Sequence, residues 1–463
     1  MRSSHTQLAA STALALVLAA CASVEPGGEE AAAIARAEVS DAPDAWQAAA
    51  ARVGEVESGW IAAFGDPTLV ALVEEAQARN RDLRSAALNV ERSVLLARQA
   101  GAELSPQVGL SSGTSARGNF EGQSTDTLEV GVQASWELDL WGRIRSGQQA
   151  AQSSALAAEA DFRAAQLSVA AAVARGYFAA INAEQQRQIT QDIVDALQET
   201  VRIVQIRFDD GLASAQEVAL ARSDLASASD TLVNAQASKE QALRALELLL
   251  GRYPSADLLV GSTLPERPAG PPAGLPSDLL ERRPDLIAAE RRIAASIDGV
   301  DQARAAQLPR ISLTASAGGA SQDLSDILNP SNLAWTAASN ILTPIIDGGA
   351  RRTQVEISTV DQRLAVEAYA DTALEAFGEV EQALADGRVI ERRLGFVQEA
   401  QAQSDTALRL AQLQYDEGEI DLLSVLQLQQ AAFADRSTVL TVNRLELEQY
   451  VDLNLALGGS WER

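Results

Sequence analysis

The stretch RFDDGLASAQE at residues 207–217 recurs as QYDEGEIDLLS at residues 414–424. In each copy, an apolar helical pattern ends at two acidic residues followed by a glycine, Gly211 or Gly418. A glycine in that place is typical of the left-handed residue that closes a helix. Ser214 and Glu217 then form a capping box that starts a new helix, and Asp421 takes the place of Ser214 as the N-cap of the second copy. The sequence therefore predicts two helical hairpins with tips at residues 209–214 and 416–421.

The two tips belong to a long internal repeat. A shift of 207 positions places Gly142 on Gly349 and Gly251 on Gly458 without a gap. Further upstream the shift is 203 positions, so the second copy holds four more residues between Pro309 and Gly349 than the first holds between Pro106 and Gly142. A repeat of this kind makes each half one structural unit.

Residues 1–20 have the composition of an export signal. Arg2 and His5 precede an apolar run from Leu8 to Ala20, which is too short for a membrane helix. The run ends in Leu-Ala-Ala before Cys21, which resembles a bacterial lipobox. We therefore expect Cys21 to be the acylated N-terminus of the mature protein. An ordinary signal peptide with a chance cysteine is the alternative.

Composition excludes several functional classes. Without the signal the chain keeps 36 basic and 63 acidic residues, a net charge of −27, and it has no histidine and no cysteine other than Cys21. The usual general bases, thiol nucleophiles and soft metal ligands are therefore missing, and we expect no enzyme activity, no cofactor and no metal site. So acidic a surface also argues against nucleic acid as a partner. Only 4% of residues are aromatic while alanine is abundant, which favours long helices packed through small side chains.

The composition divides the chain into five segments. After the signal, residues 21–59 form a lipid-anchored tether that is expected to be extended. The first repeat covers residues 60–260, a proline-rich linker covers 261–276, and the second repeat covers 277–463. Each repeat is expected to contain a helix, a pair of strands and a long helical hairpin. The first helix is expected from Pro67 to about Gly101 with Asp66 as its N-cap, and its counterpart from Ser277 to Ala306.

Alternating apolar and polar residues predict strands of membrane length. From Leu128 to Trp136 every second residue is apolar, as in a transmembrane strand with one lipid face and one wet face. Trp136 and Trp141 fit an interfacial aromatic girdle. An amphipathic hairpin lying on a soluble core is the alternative. The second copy predicts strands at residues 310–317 and 333–342. No apolar run after residue 20 is expected to form a membrane helix, so any spanning of a bilayer would use strands.

The need to pair the backbone hydrogen-bonding groups at the sheet edges then predicts an oligomer. Four strands cannot close a barrel, and an open sheet edge is not tolerated in lipid. Membrane barrels have at least about eight strands, so two or three chains must contribute. The helix predicted from Arg143 to Asp209 is roughly 100 Å long. It cannot fit in a membrane and is expected to extend into the periplasm.

At this point the chain resembles the TolC-like outer-membrane efflux proteins, in the lipoprotein branch of OprM and NodT type. The resemblance rests on Phe64-Gly65-Asp66-Pro67, on SWELDLWGR at residues 135–143 and on GLPSDLLERRPDL at residues 274–286. It implies a mixed α+β membrane protein, a homotrimer with a 12-stranded outer-membrane β-barrel continued by a long periplasmic α-helical barrel. It also implies the exit duct of a tripartite efflux system in the cell outer membrane. Such a duct passively conducts drugs or other small molecules from an inner-membrane RND-type pump through a periplasmic adaptor.

The resemblance also places the docking surface for the adaptor on the two tips. The residues expected to form it are Arg207, Asp209, Gly211, Ser214, Glu217, Tyr415, Gly418 and Asp421. The acidic residues of the second tip are expected to form a cation-selective periplasmic mouth, with a solvated collar or an adaptor contact as the alternative: Asp416, Glu417, Glu419 and Asp421. Family members often close this mouth with a basic residue two positions past the second tip glycine. Here that position is Ile420, so no closing lock is carried over.

Two alternatives remain open from the sequence. Within the pore class, the protein would be an outer-membrane channel for type I protein secretion or for metal-ion export. From another class, it would be a lipid-anchored helical spacer or adaptor without a pore, which has no need of matched amphipathic strands in both halves. The cargo is not specified by the sequence, because the specificity of such a channel belongs largely to its pump.

Overall fold

The computed structural model describes residues 28–38, 43, 45–48, 59–118, 120, 124–274 and 276–460. Cys21 and the signal segment lie outside these residues, so acylation of Cys21 stays a prediction.

The same series of elements occurs in both repeats. Before the first repeat lies helix α1 (Gly28–Glu38). The first repeat contains α2 (Trp60–Ala63), α3 (Pro67–Arg79), α4 (Arg81–Ala102), β1 (Gln107–Gly118), β2 (Ser124–Leu138), α5 (Arg143–Asp209) and α6 (Ala215–Leu249). The second contains α7 (Pro276–Arg282), α8 (Pro284–Ala305), β3 (Arg310–Ser321), β4 (Leu333–Leu342), α9 (Ala350–Asp416) and α10 (Leu422–Ala456). Helices α5 and α9 have 67 residues each, and α6 and α10 have 35 each. The repeat and both hairpins are confirmed.

The first helix of each repeat is broken where the sequence predicted continuity. The helix expected over residues 67–101 is interrupted at Asn80, whose side-chain Oδ1 accepts a hydrogen bond from the backbone N–H of Asp82 at 2.9 Å. Asn80 therefore acts as the N-cap of α4. In the second copy the break falls at Arg283, because the residue before Pro284 is disfavoured in the helical region. The sequence prediction of single helices in these places was wrong.

The N-terminal tether was expected to be extended, but residues 28–38 form α1. Further along, Trp46 is buried. Its indole N–H donates to the carbonyl of Ala273 at 3.2 Å, and its ring lies 6.3 Å from that of Phe377. The sequence could not show this docking, because the partners lie more than 200 residues away.

The strands form one antiparallel sheet in the order β1-β2-β3-β4. Residues that lie opposite each other on neighbouring strands are on the same face of the sheet. Each row of four opposed residues therefore tests whether apolar and polar residues alternate between the two faces. One such row consists of the apolar residues Leu110, Val132, Ala317 and Trp335. The next row, on the opposite face, consists of Gly109, Gln133, Ser316 and Thr336. All four strands therefore contribute to one apolar and one polar face. The strands β2 and β3 are longer than predicted, whereas β4 has the predicted bounds.

Two compact units are present, and each takes segments from both repeats. The first contains the sheet, within Leu88–Glu159 and Ala288–Asp371. The second contains both hairpin tips, within Ala160–Ile287 and Thr372–Arg463, together with Asp41–Ala87. In this second unit the expected N-cap Asp66 is confirmed, since its carboxylate accepts from the backbone N–H of Thr68. The same carboxylate accepts from the hydroxyl of Tyr177 at 2.7 Å. Burial, together with Asp66, raises the pKa of Tyr177 to about 12.

Helix α5 contains an 18-residue window with a mean hydropathy of 1.3, high enough for a membrane span. The sequence analysis expected no apolar run of membrane-helix length after the signal, and by hydropathy that expectation was wrong. Half of that window is buried inside the protein. In α5, Ala170, Ala174 and Ile181 are fully buried in a hydrophobic core, so we assign the apolar part of this helix to packing within the protein.

Candidate functional site at the hairpin tips

Both long helices end in the same hydrogen-bonded turn. In the first tip the N–H of Gly211 donates to the carbonyl of Phe208 at 3.0 Å, and that of Leu212 donates to the carbonyl of Arg207 at 2.7 Å. In the second tip Gly418 and Glu419 make the equivalent bonds at 3.0 and 2.8 Å. This pair of bonds is the Schellman motif. The predicted left-handed conformation is confirmed, with φ of 76° at Gly211 and 78° at Gly418.

The return helices begin with different caps. Ser214 accepts from the N–H of Glu217 at 3.2 Å while the Glu217 carboxylate accepts from the N–H of Ser214 at 2.6 Å, so the predicted capping box is confirmed. In the second tip Asp421 accepts from the N–H of Ser424 at 2.9 Å. The predicted N-cap is confirmed there too, but Ser424 cannot return the bond as Glu217 does.

The two tips pack against each other through an apolar cluster. Its buried residues come from all four hairpin helices: Leu197, Val204, Ala221, Ala411, Tyr415, Leu422, Val425 and Leu426. Ile420, two positions past the second tip glycine, packs against this cluster. Its side chain therefore serves the packing of the tips. An apolar stripe runs along α5 from Ile189 to Phe208, and it leaves this core before the tip, because Phe208 is 41% exposed.

Arg207 links the first hairpin to the second. Its guanidinium lies 4.5 Å from the centroid of the Tyr415 ring and donates to the Tyr415 carbonyl at 3.4 Å. An arginine over an aromatic face is attracted by the ring quadrupole. The sequence named both residues as tip residues, but only the structure pairs them, because they are 208 positions apart.

The acidic residues of the second tip are all exposed. Within the described part of the chain, no lysine or arginine forms an ion pair with Asp416, Glu417 or Glu419. Asp421 differs, because hydrogen bonds from Ser424 lower the pKa of its carboxyl below the ordinary value. Three of the four predicted mouth carboxylates are therefore free to act on ions, while the fourth also caps α10.

Exposed apolar side chains lie beside these charges, and sequence reasoning missed them. Leu212 follows the first tip glycine and is 78% exposed, and Leu423 in the first turn of α10 is also exposed. The sequence signal was weak, because Ala213 and Ile420 in the same two turns are also apolar. Together with Phe208 they give the tips an apolar contact surface. Among the described residues no acidic, histidine or cysteine cluster suits a metal ion.

Comparison with known proteins adds a further finding. Residues 72–252 and 275–459 match the model of a family described as outer membrane efflux protein. The chain is 32% identical over 411 residues to the cation efflux system protein CusC of Escherichia coli O6:H1, covering 88% of this chain and 89% of that protein. It is 35% identical over 415 residues to the toluene efflux pump outer membrane protein TtgI of Pseudomonas putida, covering 86% of each. The open state of the MtrE outer membrane channel of Neisseria gonorrhoeae is similar in structure, with a TM-score of 0.81, 29% identity and coverage of 91% of this chain and 96% of that chain.

Proposed function

The chain belongs to the outer membrane efflux protein family, and on that premise we propose that its hairpin tips form the docking face and the cation-preferring mouth of an exit duct. The protein is the outer-membrane component of a tripartite efflux system and works with a periplasmic adaptor and an inner-membrane pump. It is a trimeric channel, with a β-barrel in the outer membrane and a long helical part in the periplasm.

The docking role is supported by the matched geometry of the two tips. Both turns have the same Schellman bonds, and the cluster beneath them holds the hairpins together. The turns therefore present Phe208, Leu212 and Leu423 on a rigid support, which lowers the entropy cost of binding. Apolar anchors surrounded by charged residues are typical of a protein interface.

The mouth role is supported by the unpaired charge of the second tip. With three chains, the four acidic side chains of residues 416–421 give twelve carboxylates at one end of the duct. A ring of carboxylates attracts cations and repels anions when it lines a constriction. A collar of the same charges facing outward would leave the current non-selective.

Reversal potentials across a salt gradient in planar bilayers test the mouth. We expect a clear preference for cations in the wild-type trimer. A pore that conducts without ionic preference would contradict the cation-selective mouth while leaving the duct function intact. A trimer that does not conduct at all under any condition would contradict the duct itself.

Relatives differ in cargo, since one is a cation efflux protein and another a toluene efflux protein. We propose that this duct serves small organic molecules. A relay of soft metal ions needs thiol, thioether or imidazole ligands, and after Cys21 the sequence contains none. Complementation of a strain that lacks the gene tests this choice. We expect restored resistance to organic solvents and amphiphilic amines, whereas restored resistance to copper or silver alone would overturn it.

The lipid anchor is proposed from Cys21. Acylation with two or three chains anchors a protein stably where one chain does not. Cys21→Ser is expected to abolish incorporation of radioactive palmitate, and continued labelling of that variant would refute the assignment. Because the barrel also holds the protein in the membrane, we expect only a partial loss of efflux.

A further inference from the structure

The connection between β3 and β4 folds back onto the sheet. Its residues 322–332 include two short 3₁₀ turns, Leu324–Asp326 and Pro330–Asn332. We call this connection the β3–β4 loop. It lies at the end of the strands opposite the long helices, and so at the outer surface of the membrane in the proposed orientation.

The backbone of the loop contacts the sheet at Gly319, and we call this contact the seat of the loop. A Cβ atom at Gly319 would lie 1.8 Å from the carbonyl oxygen of Ile327, so only glycine leaves room for the loop backbone here. Gly319 pairs with Val130 and with Leu333, which belong to the apolar face. The loop therefore covers the apolar face of the sheet and not the polar face.

Beneath and beside the loop is an apolar hollow of about 410 Å³. Side chains from all four strands and from the loop line it: Leu110, Val132, Ala317, Leu328, Leu333 and Trp335. The hollow is a continuation of the apolar rows of the sheet, which face lipid in a closed barrel.

The loop combines a fixed backbone with exposed leucines. Ile327 is 6% exposed, whereas Leu324 and Leu328 are 73% and 71% exposed. The two leucines are exposed although the loop has internal hydrogen bonds. Backbone N–H groups of Asp326, Asn329 and Asn332 donate within the loop at 2.8 to 3.1 Å, and the side-chain amide of Asn332 donates to the carbonyl of Asp326 at 2.8 Å.

These features suit a loop at the edge of a bilayer. Backbone groups that enter lipid must be satisfied internally, as the N–H groups of Asp326, Asn329 and Asn332 are. Two fixed leucines in water would keep apolar surface exposed, whereas in lipid the same surface is removed from water. Of the possible occupants, hydrocarbon is the one that is continuous with the lipid-facing rows of the sheet.

We propose that the β3–β4 loop is a membrane contact, and that acyl chains of the outer leaflet fill the hollow between Leu328 and Trp335. The proposal rests on the proposed duct function only through the orientation of the sheet in the membrane. The loop then anchors the outer rim of the barrel to the leaflet instead of covering the pore.

Site-directed spin labelling tests the proposal on full-length trimers in lipid vesicles. In a Cys21→Ser background, the variants Leu328→Cys, Ala337→Cys and Thr336→Cys each carry a single nitroxide. Ala337 and Thr336 lie on opposite faces of β4 and serve as matched lipid and water controls. We expect the label at position 328 to collide with oxygen as the label at 337 does, and not with the water-soluble nickel reagent that reaches 336.

The possible outcomes distinguish a failure of the loop proposal from a failure of the proposed duct function. If label 328 behaves like 336, the loop stands in water and the proposal is wrong. If neither reagent reaches label 328, a neighbouring copy covers the hollow and the proposal is also wrong. If labels 336 and 337 do not differ, the orientation of the barrel fails, and the proposed function fails with it.

A second variant tests the seat of the loop. Gly319→Ala, added to the Leu328→Cys variant, must displace the Ile327 carbonyl, so we expect label 328 to lose oxygen collisions and gain nickel collisions. Gly113→Ala is the matched control, because a Cβ there meets no atom within 4 Å. Unchanged collisions in the Gly319→Ala variant would show that the loop does not depend on this seat.

Discussion

The two hairpin tips end their long helices in the same way, but they begin their return helices differently and differ in charge. Residues 207–217 contain one basic and three acidic residues, and residues 414–424 contain four acidic residues and no basic one. The shared turn is a matter of backbone geometry and needs only a glycine at one position. The side chains that surround it were free to differ. The structure of the turn was therefore retained in both copies, while the first tip supplies a cation and the second supplies anions.

The contacts of Arg207 show one consequence of the difference in charge between the two tips. The guanidinium of the first tip reaches the ring and the carbonyl of Tyr415 in the second. The position in the second copy that matches Arg207 is Gln414, which has no positive charge and cannot make an equivalent cation–π contact. The tips are thus unequal partners, and each can be changed separately.

The largest effect is expected from removing charge at the second tip. Asp416→Asn, Glu417→Gln and Glu419→Gln together remove the free carboxylates and leave the cap Asp421 in place. We expect the trimer to lose most of its cation preference in reversal-potential measurements.

The control for this variant is the first tip. Asp209→Asn with Asp210→Asn removes two charges beside a turn of the same shape, and we expect a much smaller change in selectivity. Equal changes for both variants, or none for either, would show that the second tip is not the selective mouth.

A smaller effect is expected from Arg207→Ala. This variant removes the link between the tips, and a cation over an aromatic ring is worth roughly 0.5–2 kcal/mol. We expect single-channel recordings to show a several-fold higher open probability.

Tyr415→Phe is the matched control, since it keeps both the ring and the carbonyl that Arg207 contacts. It should behave like the wild type. An open probability that rises in Tyr415→Phe as much as in Arg207→Ala would place the effect in the tyrosine hydroxyl and not in the arginine link.

Alanine at either tip glycine is expected to have equal, local effects. A Cβ atom added at Gly211 or Gly418 would meet no other atom within 4 Å, so the penalty comes only from the positive φ and is about 1 kcal/mol. We expect adaptor binding, measured by surface plasmon resonance, to weaken by about fivefold for each, with normal trimer levels.

Gly395→Ala provides the comparison, because Gly395 lies in the middle of α9 with open space around it. It should leave adaptor binding unchanged. Normal binding by both tip variants would mean that the tips are not the docking surface.

The smallest effect is expected from acid. Hydrogen bonds from Ser424 hold the pKa of Asp421 below its ordinary value, so this cap stabilises α10 at higher pH and is lost as the pH falls through the lowered pKa. In a Glu217→Gln background the cap of α6 contains no carboxylate, because the Ser214 hydroxyl and the amide do not titrate in this range. Hydrogen exchange in the first turn of α10 should therefore rise in acid more than in the first turn of α6. An Asp421→Asn variant should remove that difference, because asparagine caps without a charge.

Local signals in the sequence determined most of the architecture. The repeat, the 67-residue helices, both tip turns and their caps follow from glycines, capping residues and the absence of proline, and all of these agree with the structure. They were predictable because each depends on residues within one or two turns of the chain.

Contacts between distant residues were decided only by the tertiary structure. The docking of Trp46 on Phe377, the pairing of Arg207 with Tyr415 and the seating of the β3–β4 loop on Gly319 have no local signature. The break at Asn80 belongs with them in part, since its side-chain amide donates to the carbonyl of Leu249. A helix stop or a cap is a property of neighbouring backbone groups, which the sequence lists in order. A packed contact depends on which surfaces folding brings together, and here the partners are up to 331 positions apart, as for Trp46 and Phe377.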